Sequence, residues 1–322
     1  SWELAEALAA ASVIRARAGR GGEERTLSLA EHALAVSERA SGSGSAATAS
    51  RLNDLAEVLI SGENEIAARP YLERALRIQK ASLRPDHPDI ARTLANLGNV
   101  LRVAQEFDSA RTMLSRSVQM LTSALGTRHL EVARSLSSLG YLLWQLGDCD
   151  SAQPLLEQAL LIREDSLGVD HPAIGKAHVL LGLVLNDSWQ FAPALEEYER
   201  GLSVCLRAMG PNHPYIATIH NNIGELLREM GDYAGARPHY ETALRIWEST
   251  KGQSSPDVAM VPNNLALLLK TIGDYSSARP LYERALSINE RTSPNNLAVA
   301  TNLHNLGALY RALGDSSEAR RS

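Results

Sequence analysis

Cysteine is almost missing from this chain of 322 residues: only Cys149 and Cys205 occur, far apart. Two isolated thiols build neither a disulfide framework nor a thiolate zinc site. Aromatic residues make up 5% of the chain, too few for the core of a β-sandwich. No apolar run approaches the ~18 residues that a membrane span needs, so no membrane partner is expected. There is also no excess of positive charge: the formal net charge is -5. A nucleic-acid binder is usually basic, which argues against that partner class. Only four of the 32 basic residues are lysine, at 80, 176, 251 and 270. The chain opens Ser1-Trp2-Glu3 without a basic and then apolar leader, which predicts a cytoplasmic protein or one whose processed residues lie outside this sequence.

What the chain has in abundance is repetition. Ala56, Gly98, Gly140, Gly182, Gly224 and Ala266 follow one another at 42-residue intervals. The series extends back to Ile14 and, with one residue dropped, forward to Gly307. A second small-residue series with the same period runs through Ala33, Ala75, Ser117, Ala159, Gly201, Ala243 and Ala285. Small residues recur where two helices cross closely, since larger ones would push the axes apart. A period of this length signals a repeat array, in which each unit buries its apolar face against its neighbours.

Each unit reads as two helices. In the third, the spacing predicts a first helix over Pro88 to Val103, with Leu94, Leu97 and Leu101 on one face. The second helix is predicted from near Asp108, with Ala110, Leu114 and Val118 inward. Gly147, Gly231, Gly273 and Gly314 are expected to stop first helices in a left-handed conformation. Asp148, Asp232, Asp274 and Asp315 follow directly and are placed to cap the next helix. Pro88, Pro172, Pro214 and Pro256 open first helices, where a missing N–H costs least.

Catalytic constellations are not found. His87, His129, His171 and His213 recur every 42 residues, but equivalent positions in stacked repeats cannot converge on one ion, so they are expected to be loop and cap residues. Gly168 to Gly175-Lys176 has the wrong gap for a phosphate loop, and Ala177 stands where Ser or Thr would hold magnesium. No His-Glu-x-x-His, Gly-x-Ser-x-Gly or strand-borne Gly-x-Gly-x-x-Gly run occurs. The sequence therefore predicts no enzyme, no cofactor and no metal.

Segments such as Asn263-Asn264-Leu265-Ala266 and Gly273-Asp274-Tyr275-Ser276-Ser277-Ala278-Arg279-Pro280-Leu281-Tyr282 resemble the tetratricopeptide repeat of the kinesin-light-chain type. The resemblance covers nearly the whole chain and implies an all-α, right-handed superhelical solenoid of antiparallel helix pairs. The repeats would span 3–44, 45–86, 87–128, 129–170, 171–212, 213–254, 255–295 and an incomplete 296–322, as one solenoid. The first unit, with Ile14 at a small position and glycines at 19, 21 and 22, departs most and is expected to be a cap. The last would leave Leu303, Leu306 and Tyr310 in an open apolar seam, against which a second copy is expected to stack, and would mark the chain as a fragment.

The resemblance also implies that the first helix of each unit lines a concave groove. Six residues before the small position come Arg92, Arg134 and Lys176; four after it come Arg102, Trp144, Asn186, Arg228, Lys270 and Arg311. Two and three before it come Asn53, Asn96, Asn221 with Asn222, Asn263 with Asn264, and His304 with Asn305; Asn99 and Tyr141 lie one after it. Asn amides grip peptide backbone irrespective of sequence, arginine forks suit carboxylates, and Tyr141 with Trp144 would receive an apolar anchor. The expected partner is an extended, acidic protein or peptide segment with an apolar anchor. Arrays of this type also resemble the ligand-sensing regions of multidomain ATPases and caspase-like proteases, so a sensor of a larger enzyme is the alternative, and structural self-assembly a third.

Overall fold

The computed structural model describes residues 2–16, 22–62, 64–253, 255–292 and 297–314. These residues form fifteen α-helices and no strand. The chain gathers into two compact units, Ser1–Ser166 and Leu167–Ser322. Unit 1 holds α1 (Trp2–Arg15), α2 (Glu24–Ser41), α3 (Ala46–Ser61), α4 (Glu65–Ser82), α5 (Pro88–Val103), α6 (Phe107–Leu125), α7 (Leu130–Gln145) and α8 (Cys149–Ser166). Unit 2 holds α9 (Pro172–Asp187), α10 (Phe191–Met209), α11 (Pro214–Glu229), α12 (Tyr233–Lys251), α13 (Pro256–Thr271), α14 (Tyr275–Thr292) and α15 (Leu297–Ala312). Within each unit an odd helix packs on the even helix that follows it, and that one on the next odd helix.

The small positions lie at the crossings. A Cβ on Gly98 would stand 2.7 Å from Leu114 Cγ, and one on Gly140 2.8 Å from Leu156. On Gly182 it would stand 2.7 Å from the Tyr198 ring, and on Gly224 3.0 Å from that of Tyr240. Glycine lets these large side chains lie flat against the facing backbone. Burying each removes apolar surface from water, a gain of about 1.5–3 kcal/mol for a leucine-sized side chain. The second series is buried throughout; where it carries Ser117, the hydroxyl donates to the Ala91 carbonyl at 2.7 Å.

The punctuation has a specific chemistry. Gly147, Gly231, Gly273 and Gly314 have φ of 79°, 82°, 84° and 77°. The Asp148, Asp232 and Asp274 carboxylates accept from the backbone N–H of Ser151, Gly235 and Ser277. Asp315 and the second helix expected from Ser316 lie outside the described residues. His87, His129, His171 and His213 cap α5, α7, α9 and α11: each Nδ1 accepts the N–H two residues on, at 3.1 Å.

Two expectations are corrected. Ile14 does not sit at a crossing; it is 68% exposed, and the buried stripe of the first unit runs through Ala5, Ala9, Ser12 and Ala16. Ser12 is fully buried and its hydroxyl donates to the Ala9 carbonyl at 2.8 Å. Residues 17–21, which include glycines 19 and 21, lie outside the described set. In α15, Leu306 and Tyr310 are buried rather than left in an open seam. The Tyr310 hydroxyl donates to Glu283 at 3.2 Å and the Arg279 guanidinium lies over its ring.

Candidate functional site

The predicted polar positions lie on the first helix of each repeat, so each unit carries its own set of them. In unit 1 this face is drawn from α3, α5 and α7. Asn53, Asn96, Asn99, Arg102, Arg134, Tyr141 and Trp144 are half-buried and Arg92 is exposed. Several of their polar groups bond to side chains on the first helix of a neighbouring repeat. Asn53 Nδ2 donates to Thr93 Oγ1 at 2.9 Å, Asn99 Nδ2 to Ser138 at 3.1 Å, and Arg134 to Asn96 Oδ1 at 2.9 Å. Arg92 donates to Asp89 at 2.7 Å and lies 3.7 Å from Glu131.

A polar cavity of about 160 Å³ opens on this face; Asp54, Glu57, Asp89 and Glu131 line it together with Arg92 and Arg134. Four carboxylates therefore line the same cavity as the two guanidiniums that sequence spacing singled out as a basic ladder, and two of them, Asp89 and Glu131, lie within 4 Å of Arg92. Further along, the Tyr141 and Trp144 rings meet at 5.2 Å between centroids. Arg102 stacks over Tyr141 at 4.7 Å and donates to Gln145 at 2.9 Å. These side chains form an amphipathic platform, with two aromatic faces and a guanidinium in one place.

Unit 2 is built differently on the same frame. Asn264 Nδ2 donates to Asn221 Oδ1 at 3.1 Å, and Asn302 and Asn305 both donate to Asn263 Oδ1 at 3.0 Å. Asn221 is buried at 2% exposure, which corrects its expected place on the open face. Adjacent residues on a helix point about 100° apart, and here Asn221 turns inward while Asn222 stays half-buried. The cations are less engaged. Arg228 lies 3.5 Å from Glu229. Exposed Lys176 lies 5.4 Å from the centre of the Tyr215 ring, and neither it, half-buried Lys270 nor exposed Arg311 makes an ion pair among the described residues.

Sequence reasoning missed two pairs on the flank of unit 2. His178 Nδ1 meets Glu197 at 2.6 Å, and His220 Nδ1 meets His239 Nδ1 at 3.0 Å. Burial, with the neighbouring His239 and Arg245, lowers the His220 pKa to about 4. Burial also lowers that of His239, against the opposing pull of Glu199. No group of three or more potential metal ligands occurs among the described residues. No described helix is long and apolar enough to cross a membrane.

Comparison with known proteins identifies the frame. The tetratricopeptide repeat family matches residues 53–123, 89–165, 131–207, 174–249 and 257–322. The chain belongs to that family, as an all-α repeat solenoid. No curated protein matches the sequence. Among solved structures, BtubC (BKLC) from P. vanneervenii is similar at 26% identity and a TM-score of 0.58, over 67% of this chain and 87% of that one. A putative kinesin light chain with nearly identical repeats from Podosopora anserina aligns at 20% identity and a TM-score of 0.56, over 64% of this chain and 98% of its own. A Rap protein complexed with competence and sporulation factor shares the fold at 14% identity and a TM-score of 0.68, over 100% of this chain and 96% of that one. Tetratricopeptide arrays are in general non-catalytic interaction scaffolds.

Proposed function

We propose that this protein recognises extended protein segments on the first-helix faces of its units, and that the two faces read different chemistry. The carrying observation is the set of cations on unit 2, Lys176, Lys270 and Arg311, that make no ion pair among the described residues and lie on the same helices as a row of asparagine amides. An acidic segment lying there gains charge-assisted hydrogen bonds without first displacing an ion pair, while Asn222, Asn264 and Asn305 contact its backbone. On unit 1, Arg92 and Arg134 face carboxylates and an amide of the chain itself. That face is suited to an apolar anchor laid on Tyr141 and Trp144, with a polar or cationic group over the carboxylate-lined cavity. Recognition therefore combines backbone contact by amides, charge on unit 2 and an aromatic platform on unit 1. Display selection of peptides on the full chain tests this reading. Enrichment of Asp- and Glu-containing sequences that lose binding to the Lys176→Glu, Lys270→Glu, Arg311→Glu variant supports it; selected peptides that bind wild type and variant alike would refute it.

A further inference from the structure

His220 on α11 and His239 on α12 are nineteen residues apart, and their Nδ1 atoms stand 3.0 Å from one another, with ring centroids 5.0 Å apart. Both rings are half-buried. The repeat gives an internal reference for this place in the fold. One unit earlier it holds His178 and Glu197, a base facing an acid at 2.6 Å. In unit 1 it holds Leu136 with Leu155 and Leu94 with Met113. The helix pair therefore packs without any polar group here, and where a polar pair occurs once before, the partners are chemically complementary. His220 and His239 are not: two neutral imidazoles share at most one proton between facing nitrogens.

We propose that His220 and His239 form a chelate for a borderline divalent transition metal, zinc, nickel or copper, which clips α11 to α12. Two nitrogens bound at about 2.0–2.1 Å to one tetrahedral zinc lie about 3.3 Å apart, a few tenths of an ångström beyond the spacing the rings already have. Imidazole nitrogen selects this class of metal over magnesium or calcium. Binding needs both Nδ1 lone pairs. The proton shared between the rings moves to an Nε2, so each ring stays neutral and no net proton is lost. Water fills the remaining coordination positions, which the half-exposed site leaves open. The Glu199 carboxylate lies within electrostatic range of His239 and offsets the opposing charge of Arg245 near His220.

The experiment is calorimetric titration of the metal-stripped full chain with zinc chloride at pH 7.5. One saturable site per chain is expected, weakened at least tenfold in His220→Gln and in His239→Gln, and unchanged in His32→Gln, which removes an exposed histidine elsewhere. Circular dichroism checks that each variant keeps its helicity. A second measurement needs no variant: zinc should perturb the imidazole nitrogen signals of two of the nine histidines. Absence of saturable binding by wild type, equal binding by the His220→Gln and His239→Gln variants, or perturbation of other histidines in place of this pair would overturn the proposal.

Discussion

Units 1 and 2 are made from one repeat, yet they fill the same places with different chemistry. At the helix crossings unit 1 sets Leu114 and Leu156 against Gly98 and Gly140, whereas unit 2 sets Tyr198 and Tyr240 against Gly182 and Gly224. On the first-helix faces the arginines at 92, 102 and 134 of unit 1 bond to side chains of their own unit. In unit 2 it is the asparagines that interlock, while Lys176, Lys270 and Arg311 make no ion pair among the described residues. The difference teaches that a residue type at a repeat position does not determine its role. How far an arginine is engaged depends on its neighbours, which lie three residues away for Asp89 beside Arg92 but about a repeat away for Gln145 beside Arg102 and Asn96 beside Arg134.

The largest effect expected from breaking this contrast is at the crossings. Gly182→Leu drives a branched side chain into the Tyr198 ring, which a bare Cβ would already approach to 2.7 Å. It should cost about 3 kcal/mol or more in chemical denaturation. Gly224→Ala, where the nearest ring atom is 3.0 Å away, should cost less than Gly182→Ala. If the two alanine variants melt alike, the tyrosine packing does not set the tolerance of unit 2.

Acid should separate the units next. His213, His220 and His239, all in unit 2, have pKa values lowered mainly by burial. A lowered folded value means that the unfolded chain takes up protons first. The stability these groups contribute is full above an ordinary histidine pKa of about 6.5 and is lost as pH falls toward the folded values, about 4 for His220. Discounted for the partial solvent exposure of the ring, His220 accounts for about 1–2 kcal/mol of that loss. Hydrogen exchange at pH 7 and pH 4.5 should show protection lost preferentially around α11 and α12. Equal loss in α5 and α6 would contradict this assignment.

Smaller effects sharpen the picture. The Tyr282 hydroxyl is buried with no hydrogen-bond partner among the described residues, and burial raises its pKa to about 12. Tyr282→Phe should therefore leave stability unchanged or raise it by up to about 1 kcal/mol, read as a shift in the denaturation midpoint. A loss of more than about 1 kcal/mol would show that the hydroxyl is satisfied. Lys176→Leu, on the exposed side of α9, should change stability by no more than about 0.5 kcal/mol.

Much of the fold was legible in the sequence because its signals are local. The left-handed glycines, the capping aspartates and the boundaries of α5 at Pro88 and Val103 follow from spacing within a single repeat, and the small residues from their recurrence every 42 residues. The histidine ladder was legible as caps for the same reason. The register of the first unit was not: the 42-residue period runs back to Ile14, which is exposed, while Ser12 two residues earlier is buried. Gln105 and Trp189 take the left-handed conformation that glycine takes in other units, with φ of 61° at both; residue type alone argues against it. At the candidate site, type and rough position were readable but engagement was not. Asn221 and Asn222 are neighbours of identical chemistry, and only the packing of α11 against α13 decides which turns inward. The carboxylate of Glu131 reaches Arg92 from the next repeat. His220 and His239 meet through the antiparallel pairing of two helices, with no motif in the sequence between them.

The account rests on the claim that uncompensated charge on unit 2 selects an acidic segment. The most direct test is to measure the affinity of the full chain for a selected acidic peptide and for its counterpart with every Asp and Glu replaced by Asn and Gln, at low and high salt. The account predicts that the acidic peptide binds at least tenfold more tightly at low salt. That advantage should shrink as salt screens exposed charge within about 8–10 Å, and it should vanish in the Lys176→Glu, Lys270→Glu, Arg311→Glu variant. Equal affinity for the two peptides, or an advantage that survives both salt and charge reversal, would contradict it.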